Sequence, residues 1–164
     1  MTARFVDRVN GGEANAQYAD GVVEIEKYNR NPVLFLFGHE IMHYLQTIAP
    51  ESYQDFRDAA MMDIPNAEDI IHKKIRLYAD RGVGLKRWSA MDELAADYAG
   101  QMVDSTAVLE RFIERHKENR SLLQRLADAF RSLIDRVGGR YRVNSKNAVN
   151  LLEKALRDGA NAME

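Results

Sequence analysis

The chain has 164 residues, 46% hydrophobic and 29% charged, which suits one soluble globular domain over residues 1–164. A formal charge of -2 gives no expectation of a nucleic-acid or anionic-membrane partner. The absence of cysteine excludes disulfides, thiol catalysis and any metal site that needs a thiolate.

The first residues, MTARFVDRVNGG, lack the apolar stretch of a signal peptide. The longest apolar run, Val33 to Phe37, is far short of a membrane span, so a cytoplasmic location is expected. Strand character is confined to residues 1–30. Arg4 to Val9 is a weak strand ahead of Gly11-Gly12, and Tyr18 to Glu26 reads as a hairpin turning at Asp20-Gly21, with Val23 and Ile25 alternating against Glu24 and Glu26.

A helix follows from Asn31 to Ile48. Asn31 is a favoured N-cap, Pro32 suits the first helical position, and apolar residues run on without a breaker until Pro50. This helix is apolar nearly all round, as one buried in the middle of a small domain would be. It nevertheless carries His39-Glu40-Ile41-Met42-His43. Two histidines at i and i+4 point at one metal ion, with Glu40 beside a metal-bound water, which is the zincin signature. Buried polar groups of this kind are costly unless something satisfies them, and a metal would do so.

Beyond Pro50, Tyr53, Phe56 and Ala60 suggest a short helix, and Ile71, Ile75 and Tyr78 a second that stops at Gly82. Residues 82–88 read as a loop, and His72, among Lys73 and Lys74, as solvated. Ser89 opens the helix SAMDELAADYAGQMV, with Asp92 completing an S-x-x-D capping pattern. Met91, Leu94, Ala95, Tyr98 and Met102 form one apolar face; Glu93, Ala96, Asp97 and Gly100 form a second. Two acids among the smallest side chains suit a face pressed against something electropositive, such as a metal held by His39 and His43.

Further helices are marked by Val108, Leu109, Phe112 and Ile113, by Leu122 to Val137 before Gly138-Gly139, and by Leu151 to Leu156. They make residues 105–164 a helical part added to the strands and metal-site helices of 1–104. The arginines at 115, 120, 125, 131 and 136 are interspersed with acids and read as a solvated face.

A catalytic zinc takes three protein ligands and leaves a fourth position open. The metzincin extension needs glycine at 46 and histidine at 49, where the chain has Gln46 and Ala49, and is excluded. A later E-x-x-x-D supplies the other common solution, and it occurs twice, as Glu51/Asp55 and Glu93/Asp97. Glu51 is already explained by the positive end of a helix beginning at Pro50, whereas Glu93 has small neighbours that permit close approach, so Glu93 is favoured.

His39-Glu40-x-x-His43 with Glu93-x-x-x-Asp97 resembles the gluzincins, the thermolysin-like zinc peptidases. More narrowly, DGVVEIEKYNRNPVLFLFGHEIMHYLQ, DELAADYAG and, more loosely, the helices up to residue 139 resemble the metallopeptidase domain of phage- and mobile-element-encoded polyvalent proteins of gut bacteria. The resemblance implies an α+β, predominantly helical mini-zincin, with a small N-terminal sheet packed on the central HExxH helix, inside a multidomain parent. It implies Zn2+ held by His39, His43 and Glu93, Glu40 as the base of peptide-bond hydrolysis, and Asp97 orienting a ligand histidine, expected to be His39. In zincins a strand edge beside this helix docks an extended peptide, so Val22 to Glu26 is either that edge or a purely structural strand. Tyr98, Tyr78, Tyr44 and His116 are unranked candidates for stabilising the oxyanion. Two alternatives stand beside a peptidase acting on a peptide or protein: a non-catalytic regulatory module of the ImmA/IrrE type, and a structural zinc fold in a phage-derived assembly. An intact Glu40 favours chemistry, because a structural site has no use for a base.

Overall fold

A computed structural model describes residues 2–7, 16–20, 22–26, 33–134 and 149–158. It is predominantly helical with one small sheet. Strands β1 (Thr2–Val6), β2 (Ala16–Ala19) and β3 (Val22–Glu26) precede six helices: α1 (Val33–Ile48), α2 (Pro50–Asp63), α3 (Ala67–Asp80), α4 (Arg87–Asp104), α5 (Thr106–His116) and α6 (Arg120–Ile134). A further helical segment, α7, covers 149–158. No helix among the described residues is long and apolar enough to cross a membrane. The expected caps Asn31 and Pro32, and the glycine pairs 11–12 and 138–139, lie outside the described residues.

The hairpin forms as its sequence predicts. Ala19 pairs with Val22 across a two-residue connection, and Asp20 adopts the left-handed backbone (φ 51°) that aspartate tolerates in tight turns. β1 starts two residues earlier than expected and pairs parallel with β3, Thr2 opposite Val22 and Val6 opposite Glu26. The sheet order is therefore β1-β3-β2. Val22–Glu26 is the central strand, with both edges occupied, so it is not the docking edge that its pattern allowed; β2 is the strand lying against α1 with an outer edge.

Helix boundaries follow local chemistry. Pro50 cannot continue α1, because it lacks an N–H, and instead takes the first position of α2. α3 closes where Gly82 (φ 79°) supplies the left-handed residue of a Schellman turn, with the Val83 N–H donating to the Tyr78 carbonyl at 2.9 Å. α4 begins at Arg87, two residues before Ser89, and no side chain caps it. The S-x-x-D pattern is thus not a cap: Asp92 lies inside the second turn and points into the core, only 9% exposed.

α1 and α4 share the most extensive helix–helix interface, made possible by two glycines. A Cβ on Gly38 would stand 2.7 Å from the Ala99 carbonyl oxygen, and one on Gly100 would stand 2.6 Å from that of Phe35. The two backbones touch where they cross, with Ala95, Ala96 and Ala99 filling the rest of the seam. Around that crossing the core continues through Met42, Tyr53, Phe56, Met102, Phe112 and Phe130 to Leu152 of α7.

The later arginines are only partly a solvated face. Arg125 and Arg131 are exposed and paired with Asp55 and with Asp128 and Glu153, whereas Arg120 buries one guanidinium nitrogen; residue 136 lies outside the described residues.

Candidate metal centre

The α1–α4 crossing sets the site. α1 presents His39 and His43 one turn apart on the face toward α4, and α4 brings Glu93 to them one side of the glycine contact. The His39 and His43 Nε2 atoms are 3.1 Å apart; Glu93 places one carboxylate oxygen 3.6 Å from His39 Nε2 and the other 3.5 Å from His43 Nε2. Two imidazole nitrogens and a carboxylate oxygen are the donor set of a common catalytic zinc site, and ligands about 2.0–2.2 Å from a tetrahedral centre stand roughly 3.3 Å from one another. The donors fit, and this triad can hold a metal ion. Glu51 sits exposed in the first turn of α2, and Asp55 pairs with Arg125 at 2.6 Å, so the alternative motif has no part in the cluster.

Each histidine is oriented from behind by an acid of α4. His39 Nδ1 lies 3.0 Å from Asp97 Oδ1, and because a carboxylate only accepts, Nδ1 carries the hydrogen and the Nε2 lone pair faces the centre. Asp97 is in turn held by Lys74, whose ammonium is 2.6 Å from Oδ2. For His43 the connection is indirect. Gln46 donates its amide to Asp92 Oδ2 at 3.1 Å, which leaves the Gln46 carbonyl to accept the hydrogen bond it shares with His43. Asp92 is fixed by the Tyr53 hydroxyl (2.8 Å) and the Arg57 guanidinium (3.5 Å), which also stacks on Trp88, 3.9 Å from its ring centroid. With both ring hydrogens drawn outward, two lone pairs and a carboxylate converge on one point, an arrangement that could hold a metal ion.

The electrostatics agree. Burial pulls the His39 pKa down, but the Asp97 hydrogen bond and the charges of Glu40, Asp97 and Glu93 outweigh it and leave His39 raised. Burial and the neighbouring His39 lower His43, against the pull of Glu93. Burial would raise Asp97, yet its contacts to His39 and Lys74 hold it below the usual carboxylate range. Tyr53 is pushed far up by burial and by Asp92, so it stays a donor.

Glu40 lies on the adjacent face of α1, 5% exposed. Burial, reinforced by Glu93 and opposed by His39, lifts its pKa to about 7, and the Tyr18 backbone N–H of β2 donates to its carboxylate. Tyr18 is itself seated edge-on against Tyr44 at 5.5 Å between ring centroids. β2, Glu40 and the triad line one cleft of about 420 Å³. None of the four oxyanion candidates lines it: Tyr98 and His116 both turn to Asp63, at 3.3 and 3.0 Å, Tyr44 packs on Tyr18, and Tyr78 ends α3.

Lys74, Gln46, Asp92, Tyr53 and Arg57 are site residues that sequence reasoning missed. Lys74 stands in a charge run beside His72, which is expected to be solvated; His72 is exposed, but Lys74 is turned inward to Asp97. What could have found Asp92 is its adjacency to Glu93, one residue along the same helix.

Two measurements test the geometry. Glu93→Ala should release the metal, whereas Glu51→Ala should cost at most about 1 kcal/mol of stability, the size of a helix-dipole contribution. Equilibrium zinc competition on both variants checks this, and the reverse pattern would remove Glu93 from the site. Asp97→Ala should weaken zinc affinity by roughly 10–100-fold through a misoriented His39.

Taken together, the fold and site define a predominantly helical chain with a two-histidine, one-glutamate metal-binding cluster beside a buried glutamate. No protein-family model matches the chain, and searches of curated proteins and of solved structures find no match.

Proposed function

We propose that the chain is a zinc-dependent peptidase of gluzincin type, built as a mini-zincin. The observation that carries this reading is the convergence of His39, His43 and Glu93, with ligand atoms all within 4.8 Å of one another, beside a glutamate whose pKa sits near neutrality. A zinc ion held by these three residues would supply a Lewis acid that polarises a carbonyl and acidifies water.

The chain's own groups account for the rest. Glu40, poised near pH 7, takes a proton from the attacking water and returns it to the leaving amine, which is where a general acid–base catalyst is most effective. The outer edge of β2 flanks the cleft and suits an extended peptide, with backbone groups supplying pairing. Asp97 and the Gln46–Asp92 pair hold the imidazoles in the ligating tautomer, so little reorganisation accompanies binding.

The test is elemental analysis of the purified protein followed by a peptide-library assay on the zinc-loaded form. About one zinc per chain with cleavage supports the reading. Stoichiometric zinc with no cleavage would instead favour a sensing or structural module, and no stoichiometric transition metal would end the proposal.

A further inference from the structure

A second cavity, also of about 420 Å³, lies behind the metal centre, between α3, α4 and α5. Its size falls in the range of small-molecule sites. Ile64, Pro65, Ile70, Leu94 and Val108 give it an apolar wall. Its polar lining is lopsided. Two carboxylates reach it, and both are committed: Asp97 to His39 and Lys74, and Asp63, with its side chain 4% exposed, to Tyr98, His116 and Arg115. Burial and Asp63 lift the Tyr98 pKa to about 12, so this hydroxyl remains a donor at neutral pH.

The cations of the lining, Lys74, Arg111 and Arg115, outnumber its two carboxylates. Arg111 and Gln101 line the cavity at exposed positions, and among the described residues neither side chain makes a hydrogen bond or ion pair. Arg115 reaches Asp63 at 3.3 Å, and Lys74, held by Asp97, is the third cation. An uncommitted guanidinium over an apolar wall is complementary to a carboxylate carried on a compact apolar body. Cations would meet Arg111 and Lys74, and a neutral apolar molecule would leave both unanswered.

We infer that this cavity is a binding site for a small apolar carboxylate, received by Arg111 and sharing Lys74, through Asp97, with the candidate metal centre. An acylated amino acid with an apolar side chain is one molecule of that class. The inference does not rest on the peptidase reading, because none of the three proposed metal ligands lines the cavity, although Asp97 and Lys74 connect it to His39.

Heteronuclear NMR titration of the metal-free full chain tests it, using N-acetyl-leucine, N-acetyl-leucinamide and acetate as probes. N-acetyl-leucine should shift the amides of Lys74, Leu94 and Arg111 saturably, and bind at least about 10-fold more tightly than the uncharged amide or acetate, as one charge-assisted contact allows. Arg111→Gln, at an exposed position without a partner, should leave the fold intact and weaken that binding by about 10-fold. Equal binding of the acid and its amide, no saturable response to the acid, or undiminished affinity in Arg111→Gln would each overturn the inference. A chain that takes the probe but no zinc fails only the peptidase reading.

Discussion

Glu40→Gln is expected to abolish peptide hydrolysis, by roughly 10²–10⁴-fold or to the detection limit, while the protein keeps its zinc. The glutamate is buried beside the triad yet is not among the three groups that converge on the metal position. Glutamine preserves its volume and can still accept from the Tyr18 N–H, but it cannot take a proton from water. Burial also argues against a structural penalty, because the carboxylate sits in a place that favours its neutral form. Parallel measurement of turnover and of bound metal decides the matter. Loss of zinc from this variant would reassign Glu40 as a ligand, and retained turnover would remove it from the chemistry.

The second large effect is expected at a residue with no side chain. Gly38→Ala ought to gain about 1 kcal/mol from helix propensity alone. Its new methyl group would stand 2.7 Å from the Ala99 carbonyl oxygen and 2.8 Å from the Gly100 Cα, both backbone atoms that cannot rotate away. Overpacking of a well-filled interior costs typically about 1–3 kcal/mol, so a net destabilisation is expected. The functional loss should be larger than the stability loss. Separating α1 from α4 moves Glu93 away from both histidines, so zinc affinity should fall even though no ligand is changed. Chemical denaturation and zinc competition on the same variant check the two effects; a stabilised protein with unaltered zinc affinity would show that the helices do not meet there.

The parts of this site legible in the sequence are those whose geometry is set within one helix. His39, Glu40 and His43 follow from the 3.6-residue period, and Glu93 and Asp97 from a second face whose small neighbours foretold close packing. What the sequence concealed depends on which segments meet. Gly38 looks like a weak point in a helix until α4 is laid across it. Asp92 has a ready local explanation as a cap, which masks its buried role beneath Gln46. Lys74 sits in a charge run, and only the position of α3 beside Asp97 turns it inward. Likewise Val22–Glu26 alternates as an edge strand should, but whether it is an edge is decided by β1, about twenty residues upstream.

α4 supplies the third member of the triad that could hold a metal ion and both of the carboxylates that orient the histidines, Asp92, Glu93 and Asp97 falling within two turns. Under the proposed function, metal capture would come late in the life of a newly made chain. The histidine pair leaves the ribosome about fifty residues before Glu93, and closing a segment of that length costs about 3.5 kcal/mol of chain entropy that only packing of α4 on α1 can offset. Until then the two imidazoles have neither their third donor nor their fixed tautomers, so a growing chain would hold a metal only weakly. The finished crossing of two helices is the event that would switch that binding on.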